Sequence, residues 1–123
     1  MAKILVVDDS ETARVQVKMD LIGAGHEVLE AENGIRGLEA LNANKDIQLV
    51  ICDVNMPEMD GLSMCEEISG NNEIKKIPIV MLTTQCSDDM KARGKQNGVV
   101  AWINKPHKAA TLIAGIEKIL SRK

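Results

Sequence analysis

Short apolar segments recur along the chain and predict the strands of a sheet. Four of them are strongly apolar, at residues 3–7, 48–52, 77–83 and 99–103. Runs of this kind are typical of strands that are covered on both faces, as in parallel sheets. A fifth segment, at residues 27–31, is weaker and more polar. We expect it to form an edge strand.

The stretches between these strands predict helices. Most connections have roughly fifteen to twenty residues, which suits helical crossovers between parallel strands better than hairpins. The last helix is the clearest, because its apolar residues recur at i, i+1, i+4, i+7 and i+8 and so form one face. These residues are Leu112, Ile113, Ile116, Ile119 and Leu120.

The first crossover is ambiguous when its pattern is taken alone. Polar and apolar residues alternate strictly over residues 14–21, which is a strand pattern. We nevertheless predict a helix, because Ser10 is a suitable N-cap and parallel flanking strands require a crossover. This prediction therefore depends on topology as well as on local sequence.

Three further helices complete the predicted fold, at residues 34–41, 61–69 and 87–97. Asn33-Gly34 could equally form a hairpin turn before the second helix. Ser87 is a suitable N-cap for the fourth helix, which contains an unfavourable glycine and which we expect to be mobile. Five strands alternating with five helices predict an α/β fold with a doubly wound, five-stranded parallel sheet.

Length and composition narrow the class of protein. A chain of 123 residues suits one domain, spanning 1–123, and its apolar runs are shorter than the roughly twenty residues of a membrane span. We therefore expect no membrane insertion and a cytoplasmic location. The net charge of −3 comes without a basic stripe, so we expect no nucleic-acid partner. Three cysteines without zinc or disulfide spacing favour a reducing compartment.

Polar side chains stand where the predicted strands end. Asp8 and Asp9 follow the first strand, Asp53 the third, Thr83 ends the fourth, and Lys105 comes after the fifth. In parallel α/β sheets, ligands bind at this carboxyl edge. The pattern does not itself choose the strand order. In the flavodoxin-like order 2-1-3-4-5, strands one and three are neighbours, so the three aspartates would converge.

Three converging carboxylates need a cation or protons. At 4 Å and an effective dielectric constant near 20, each pair repels by about 4 kcal/mol. An all-oxygen site suits Mg²⁺, and no cluster of histidine and cysteine argues for zinc. Asp53 could then form an acyl phosphate, since the metal, Thr83 and Lys105 would offset the charge on a transferring phosphoryl group.

Four motifs together resemble a known family. They are VVDDS at 6–10, ICDVNMPEMDG at 51–61, MLTT at 81–84 and NKP at 104–106. In this order they resemble the receiver domain of two-component response regulators, closest in layout to stand-alone chemotaxis regulators of the CheY type. The resemblance covers the whole chain and implies the flavodoxin-like fold.

The resemblance also implies a role for each site residue. Asp53 is expected to be the phosphoacceptor, with Thr83 and Lys105 contacting the phosphoryl oxygens. The implied Mg²⁺ ligands are Asp8, Asp9, Asp53 and the backbone carbonyl of Asn55. Pro57 and Gly61 are expected to shape the loop after the third strand, and the Lys105-Pro106 bond is expected to be cis.

Two further features are expected to control the readout and its lifetime. Trp102 stands where the family usually has Tyr or Phe, which turns inward when Thr83 moves toward the phosphoryl group. It could be this switch, or a fixed, partly exposed anchor for a partner, and Thr84 narrows the space available. Asn55 and Gln85 are expected to tune the access of water to the acyl phosphate, giving an intermediate lifetime.

The resulting hypothesis is that the protein is a monomeric signalling switch and not an enzyme. The only reactions that it would assist are its own phosphotransfer and autodephosphorylation. The implied partners are a sensor histidine kinase and a downstream protein, either a flagellar motor switch protein or a phosphotransfer protein. The fourth helix, fifth strand and fifth helix would bind that target.

An aspartyl phosphatase is disfavoured because Asn55 replaces the second acid it would need. A phosphate-independent binding protein is disfavoured by the complete acidic set. His26 and His107 are expected to be structural.

Overall fold

The computed structural model describes residues 2–84 and 86–121 and contains a five-stranded parallel sheet. The strands are β1 (Lys3–Val7), β2 (Glu27–Ala31), β3 (Leu49–Cys52), β4 (Ile79–Thr83) and β5 (Val99–Asn104). Their order is β2-β1-β3-β4-β5, and every neighbouring pair is parallel. The predicted flavodoxin-like order is therefore confirmed, and β1 and β3 lie side by side.

Five helices connect and follow the strands. They are α1 (Glu11–Gly23), α2 (Gly34–Ala43), α3 (Gly61–Gly70), α4 (Asp88–Gln96) and α5 (Ala109–Leu120). The first four begin at side-chain N-caps, in which Ser10, Asn33, Asp60 and Ser87 each accept a backbone N–H from three residues further on. Asn33 thus starts a helix rather than a hairpin turn. Within the described part of the chain, no helix has the length and apolarity needed to cross a membrane.

The strict alternation over residues 14–21 belongs to a helix, as predicted from topology. Val17 and Leu21 lie one turn apart on the same face of α1 and are buried. The other apolar residues of the alternation face solvent, since Val15 is 38% exposed and Met19 is 67% exposed. Only half of the apolar positions therefore contribute to the core, which is why the local pattern was misleading.

Both faces of the sheet are covered by helices. Leu5 and Val7 point to a core formed with α2 and α3, whereas Ile4 and Val6 point to a core formed with α1 and α5. The same alternation continues along β3 and β4. Strands buried on both faces need apolar residues at every position, which explains the continuous apolar runs seen in the sequence.

The two edge strands differ from the three central ones. The prediction that β2 is an edge strand is confirmed. β5 occupies the opposite edge of the sheet, and both of its faces are partly covered, since Trp102 packs on one core and Ala101 and Ile103 pack on the other. Val99 is buried there, but Val100 is 50% exposed and Trp102 is only partly buried. The exposed apolar residue of β5 is Val100, which lies at the register shift between β4 and β5.

Candidate functional site

Three aspartates converge at the carboxyl ends of β1 and β3. One carboxylate oxygen from each of Asp8, Asp9 and Asp53 lies within 4.8 Å of the other two. Asp8 is buried, Asp53 is half-buried and Asp9 is exposed. The neighbouring strands bring them together, because the Asp53 N–H donates to the carbonyl of Val7 at 3.0 Å. The convergence expected from the strand order is therefore present.

Lys105 joins this cluster from the end of β5. Its Nζ donates to Asp8 Oδ2 at 2.7 Å and to Asp53 Oδ2 at 2.9 Å. Partial burial tends to lower the pKa of Lys105, but the hydrogen bonds that it donates to Asp8 and Asp53 outweigh this effect, so the pKa lies above its ordinary value. Lys105 therefore stays protonated and offsets part of the negative charge of the cluster.

Backbone N–H groups orient the two inner carboxylates. The Ser10 N–H donates to Asp8 Oδ1 at 2.9 Å, and the Val54 N–H donates to Asp53 Oδ1 at 2.6 Å. Each of these carboxylates thus has one oxygen held by the backbone and the other by Lys105. Their geometry is fixed by the fold, whereas Asp9 lies at the exposed side of the cluster.

The donor set fits a magnesium ion. All three side chains offer carboxylate oxygens, the ligands that Mg²⁺ prefers, and Mg²⁺ needs only one or two carboxylates besides water and phosphate oxygens. Asp9 is exposed, so the cluster meets solvent on that side. One lysine ammonium opposes three carboxylates, so a divalent cation would reduce the remaining repulsion.

The loop after β3 is shaped closely around Asp53. A Cβ added at Gly61 would overlap the carbonyl oxygen of Asp53 and lie 2.9 Å from Cys52 Sγ. Only glycine permits this approach, which lets the Gly61 N–H donate to the Val54 carbonyl at 2.9 Å. Glu58 adopts a positive φ of 68° in the same loop. The expected shaping role of Gly61 therefore has a direct physical cause.

Comparisons with known proteins agree with this geometry. The response regulator receiver domain family matches residues 4–117. Chemotaxis protein CheY1 of Helicobacter pylori strain J99 is 41% identical over 96% of this chain and 96% of its own length. A solved structure of the Vibrio cholerae chemotaxis protein CheY4 has a TM-score of 0.89 and 36% identity, covering 97% of this chain and 98% of that one.

The chain belongs to the response regulator receiver domain family. Receiver domains of this CheY-like type are phosphorylation-dependent signalling regulators rather than classical enzymes, and they generally bind Mg²⁺ at an acidic pocket. They interact with histidine kinases and downstream targets. A protein named sensor histidine kinase CheAY, from Helicobacter pylori, is 32% identical over 94% of this chain, which spans 14% of that protein.

The expected readout residues of this receiver domain lie between β4, α4 and β5. Thr83 is buried at the end of β4, while Thr84 is exposed. Trp102 packs closely on α4, since a Cβ added at Gly94 would lie 3.0 Å from Trp102 Cζ2. Gly94 thus allows a close approach of α4 to β5. This glycine has an unfavourable helix propensity, but it also has a role in packing. Gln85 lies outside the described residues.

The remaining expectations concern the edges of the site. Asn55 is exposed in the loop after β3, and the Lys105-Pro106 bond is cis as expected. His107 and His26 have structural contacts: His107 Nε2 lies 2.7 Å from an oxygen of Asp20 on α1, and His26 Nδ1 accepts a hydrogen bond from the Ala2 N–H.

Sequence reasoning missed one residue that contacts the acidic cluster. Arg14 Nη1 donates to the backbone carbonyl of Asp8 at 2.7 Å. In the sequence, Arg14 is simply one polar member of the alternating stretch. Its position one turn after the Ser10 N-cap places it near the end of β1, but the direction of a long side chain cannot be inferred from that spacing.

Proposed function

We propose that this receiver domain is a phosphorylation-activated switch in which Asp53 accepts a phosphoryl group from the phosphohistidine of a sensor histidine kinase. The observation that supports this most strongly is the convergence of Asp8, Asp9 and Asp53, with Lys105 bonded to two of them. We extend the proposal to one receiver domain spanning residues 1–123, acting as a monomer in the cytoplasm.

The proposed reaction is a transfer between two nucleophiles. A carboxylate oxygen of Asp53 attacks phosphorus, so that a P–O bond forms while the P–N bond to the donor imidazole breaks. The imidazole leaves with the bonding electron pair and takes up a proton. Lys105 gives up its contact with Asp53 and donates to a phosphoryl oxygen instead, as Thr83 does from the end of β4. These donors offset charge that develops on the equatorial oxygens.

The proposed metal is Mg²⁺, held by Asp8, Asp9, Asp53 and the backbone carbonyl of Asn55. When bound, it neutralises negative charge on the carboxylates and the phosphoryl oxygens and so permits two anions to approach. The backbone contacts of Asp8 and Asp53 are made before any ligand arrives, which reduces the reorganisation needed for binding. Asp9 supplies the exposed side of the site.

We propose that the switch resets by its own hydrolysis. Water attacks the phosphorus of the acyl phosphate, the bond to Asp53 breaks, and inorganic phosphate leaves. Asn55 and Gln85 are proposed to tune how easily water reaches the phosphorus, because both are uncharged amides two residues beyond Asp53 and Thr83. A double variant with alanine at both amide positions should change the rate of phosphate loss.

The proposed output surface is formed by α4, β5 and α5. It contains exposed Val100, half-buried Trp102 and the cationic side chains of Lys91 and Lys95, which line a shallow cavity of about 470 Å³. This combination suits a protein segment with apolar and acidic residues. The proposed target is a flagellar motor switch protein in chemotaxis, or otherwise a phosphotransfer protein. We propose that Thr83 and Trp102 carry the change to this surface.

The test is to add Mg²⁺ and then beryllofluoride, a phosphoryl mimic, while following the fluorescence of Trp102. The proposal predicts a fluorescence change that requires both additions and is absent in an Asp53→Asn control, because the mimic binds at the Asp53 carboxylate. A wild-type signal that stays constant, together with no bound beryllofluoride in the fluorine NMR spectrum, would contradict it. Binding without a fluorescence change would instead reject the switching role of Trp102.

A further inference from the structure

Arg14 connects the acidic loop after β1 to the edge strand β2. Its Nη1 donates to the carbonyl oxygen of Asp8 at 2.7 Å, and its Nε donates to Glu30 Oε1 at 3.0 Å. The side chain of Arg14 is only 16% exposed, and its contact with Asp8 is partly buried, whereas its contact with Glu30 is exposed to water. A planar guanidinium can make two such contacts at a fixed angle, which a flexible ammonium cannot.

The contact with Asp8 fixes more than one atom. The Asp8 carbonyl belongs to the peptide group that joins Asp8 to Asp9, and this group is planar. Holding its oxygen therefore restricts the orientation of the Asp9 backbone. On the other side, the Asp8 N–H donates to the carbonyl of Ala31 at 3.1 Å. Strand β2 thus holds the Asp8 backbone directly through Ala31 and indirectly through Arg14.

Glu30 keeps Arg14 in place. Its second carboxylate oxygen accepts a hydrogen bond from Lys18 Nζ at 3.0 Å. Hydrogen bonds from Lys18 and then Arg14 hold the pKa of Glu30 below its ordinary value despite some burial, so its carboxylate stays ionised. Lys18 and Arg14 share this partner, but only Arg14 also reaches the acidic loop.

We propose that Arg14 is a positioning residue for the Mg²⁺ site: by holding the peptide group between Asp8 and Asp9, it presets the two side chains for the ion. The inference rests on the proposed Mg²⁺ binding by these aspartates. Removing a group that contacts and orients a metal ligand, without binding the metal itself, typically lowers metal affinity by roughly 10- to 100-fold. Arg14 acts through the backbone, so we expect an effect near the lower limit.

The charge of Arg14 alone would have the opposite effect on Mg²⁺ affinity, so the two effects can be distinguished by experiment. A cation near the site repels Mg²⁺, so removing it by Arg14→Gln would strengthen Mg²⁺ binding if electrostatics alone mattered. Loss of positioning would weaken it instead. Lys18→Gln is a matched control, because it removes the same charge and also removes one hydrogen bond to Glu30, but leaves the contact with Asp8 intact.

The experiment titrates Mg²⁺ alone into the full chain and follows backbone amide shifts by NMR. We expect Arg14→Gln to bind Mg²⁺ roughly 10-fold more weakly than wild type. Lys18→Gln should bind as wild type does, or slightly more tightly. Thermal unfolding without Mg²⁺ compares the loss of stability in the two variants, which should be larger in Arg14→Gln because it loses the hydrogen bond to the Asp8 carbonyl as well as one to Glu30.

The outcomes of the titration distinguish the metal site itself from the positioning role of Arg14. If wild type binds Mg²⁺ at the aspartates but Arg14→Gln and Lys18→Gln have equal affinities, the positioning role of Arg14 is wrong while the metal site stands. If wild type itself does not bind Mg²⁺, both statements fail. If Arg14→Gln does not fold, Arg14→Lys replaces it. This variant keeps the charge but loses the fork to Asp8 and Glu30, so unchanged affinity in it would overturn the inference.

Discussion

Replacing Asp9 with asparagine should stabilise the metal-free protein. Asp9 is exposed, and its carboxylate oxygen lies within 4.8 Å of an oxygen of Asp8 and of Asp53. The hydrogen bonds of Lys105 go to Asp8 and Asp53. Asp9 therefore adds repulsion to a cluster in which Lys105 is already hydrogen-bonded to the other two carboxylates. Asp9→Asn keeps the shape of the side chain and removes its charge.

The size of this effect follows from the separation of the charges. At 4.8 Å and the dielectric constant of bulk water, each pair repels by about 0.9 kcal/mol, and Asp9 takes part in two pairs. The exposure of Asp9 makes a water-like dielectric constant appropriate. Attraction of Asp9 to Lys105 and Arg14, which contact the same cluster, offsets part of this repulsion. We therefore expect Asp9→Asn to raise the free energy of unfolding by at most about 1–2 kcal/mol at low salt, with a smaller gain as salt screens the charges.

The assay is urea unfolding, followed by circular dichroism, in EDTA and again in Mg²⁺. Wild type should gain stability from Mg²⁺, because an ion that binds only the folded state stabilises it in proportion to its occupancy. Asp9→Asn should gain less, since it lacks one proposed ligand. A control, Glu67→Gln, makes the same change in net charge at an exposed position on α3, outside the cluster.

Two results would refute this reasoning. The first is that Asp9→Asn is less stable than wild type in EDTA, which would mean that repulsion in the cluster is not the dominant effect. The second is that Glu67→Gln gains as much stability as Asp9→Asn, which would assign the gain to overall charge. An equal response of wild type and Asp9→Asn to Mg²⁺ would remove Asp9 from the proposed ligands.

Three further predictions concern the same region and the core. Gly61→Ala should lower the free energy of unfolding by roughly 1–3 kcal/mol, because its Cβ would overlap the Asp53 carbonyl; an unchanged thermal midpoint would contradict this. The pKa of Lys105 lies above its ordinary value because hydrogen bonds to Asp8 and Asp53 outweigh its burial, so this pairing stabilises the fold below the ordinary lysine pKa and is lost as pH rises through the folded-state pKa. Lys105→Gln should therefore flatten the alkaline decline of stability in unfolding curves measured across that range. Burial raises the pKa of Cys65 to about 12, so iodoacetamide should label it only after unfolding, as peptide mass spectrometry would reveal.

The strands were predictable because their apolar runs are bounded by charged or polar residues. The bounds of β1 and β2 agree with the predicted segments 3–7 and 27–31. β4 begins at Ile79 rather than at residue 77, and Pro78, which has no N–H to donate to a strand neighbour, comes just before it. The exposure of Val100 coincides with a register shift between β4 and β5, which composition alone did not reveal.

The acidic cluster was predictable for a different reason. Once the strand order is assumed, the positions of Asp8, Asp9 and Asp53 follow from the ends of β1 and β3, since backbone topology determines where those residues lie. The contacts of long side chains were not predictable. His107 and Asp20 are 87 residues apart in sequence, and no local pattern indicates that their side chains meet. The contact of Arg14 with Asp8 was missed for the same reason.

Asp53 is the proposed acceptor of the phosphoryl group. The most direct measurement is peptide mass spectrometry after incubation of the protein with acetyl phosphate and Mg²⁺. We expect a single phosphoryl group on the peptide that contains Asp53, absent in Asp53→Asn and strongly reduced in EDTA. No phosphorylation of wild type, or phosphorylation that persists in Asp53→Asn, would contradict it.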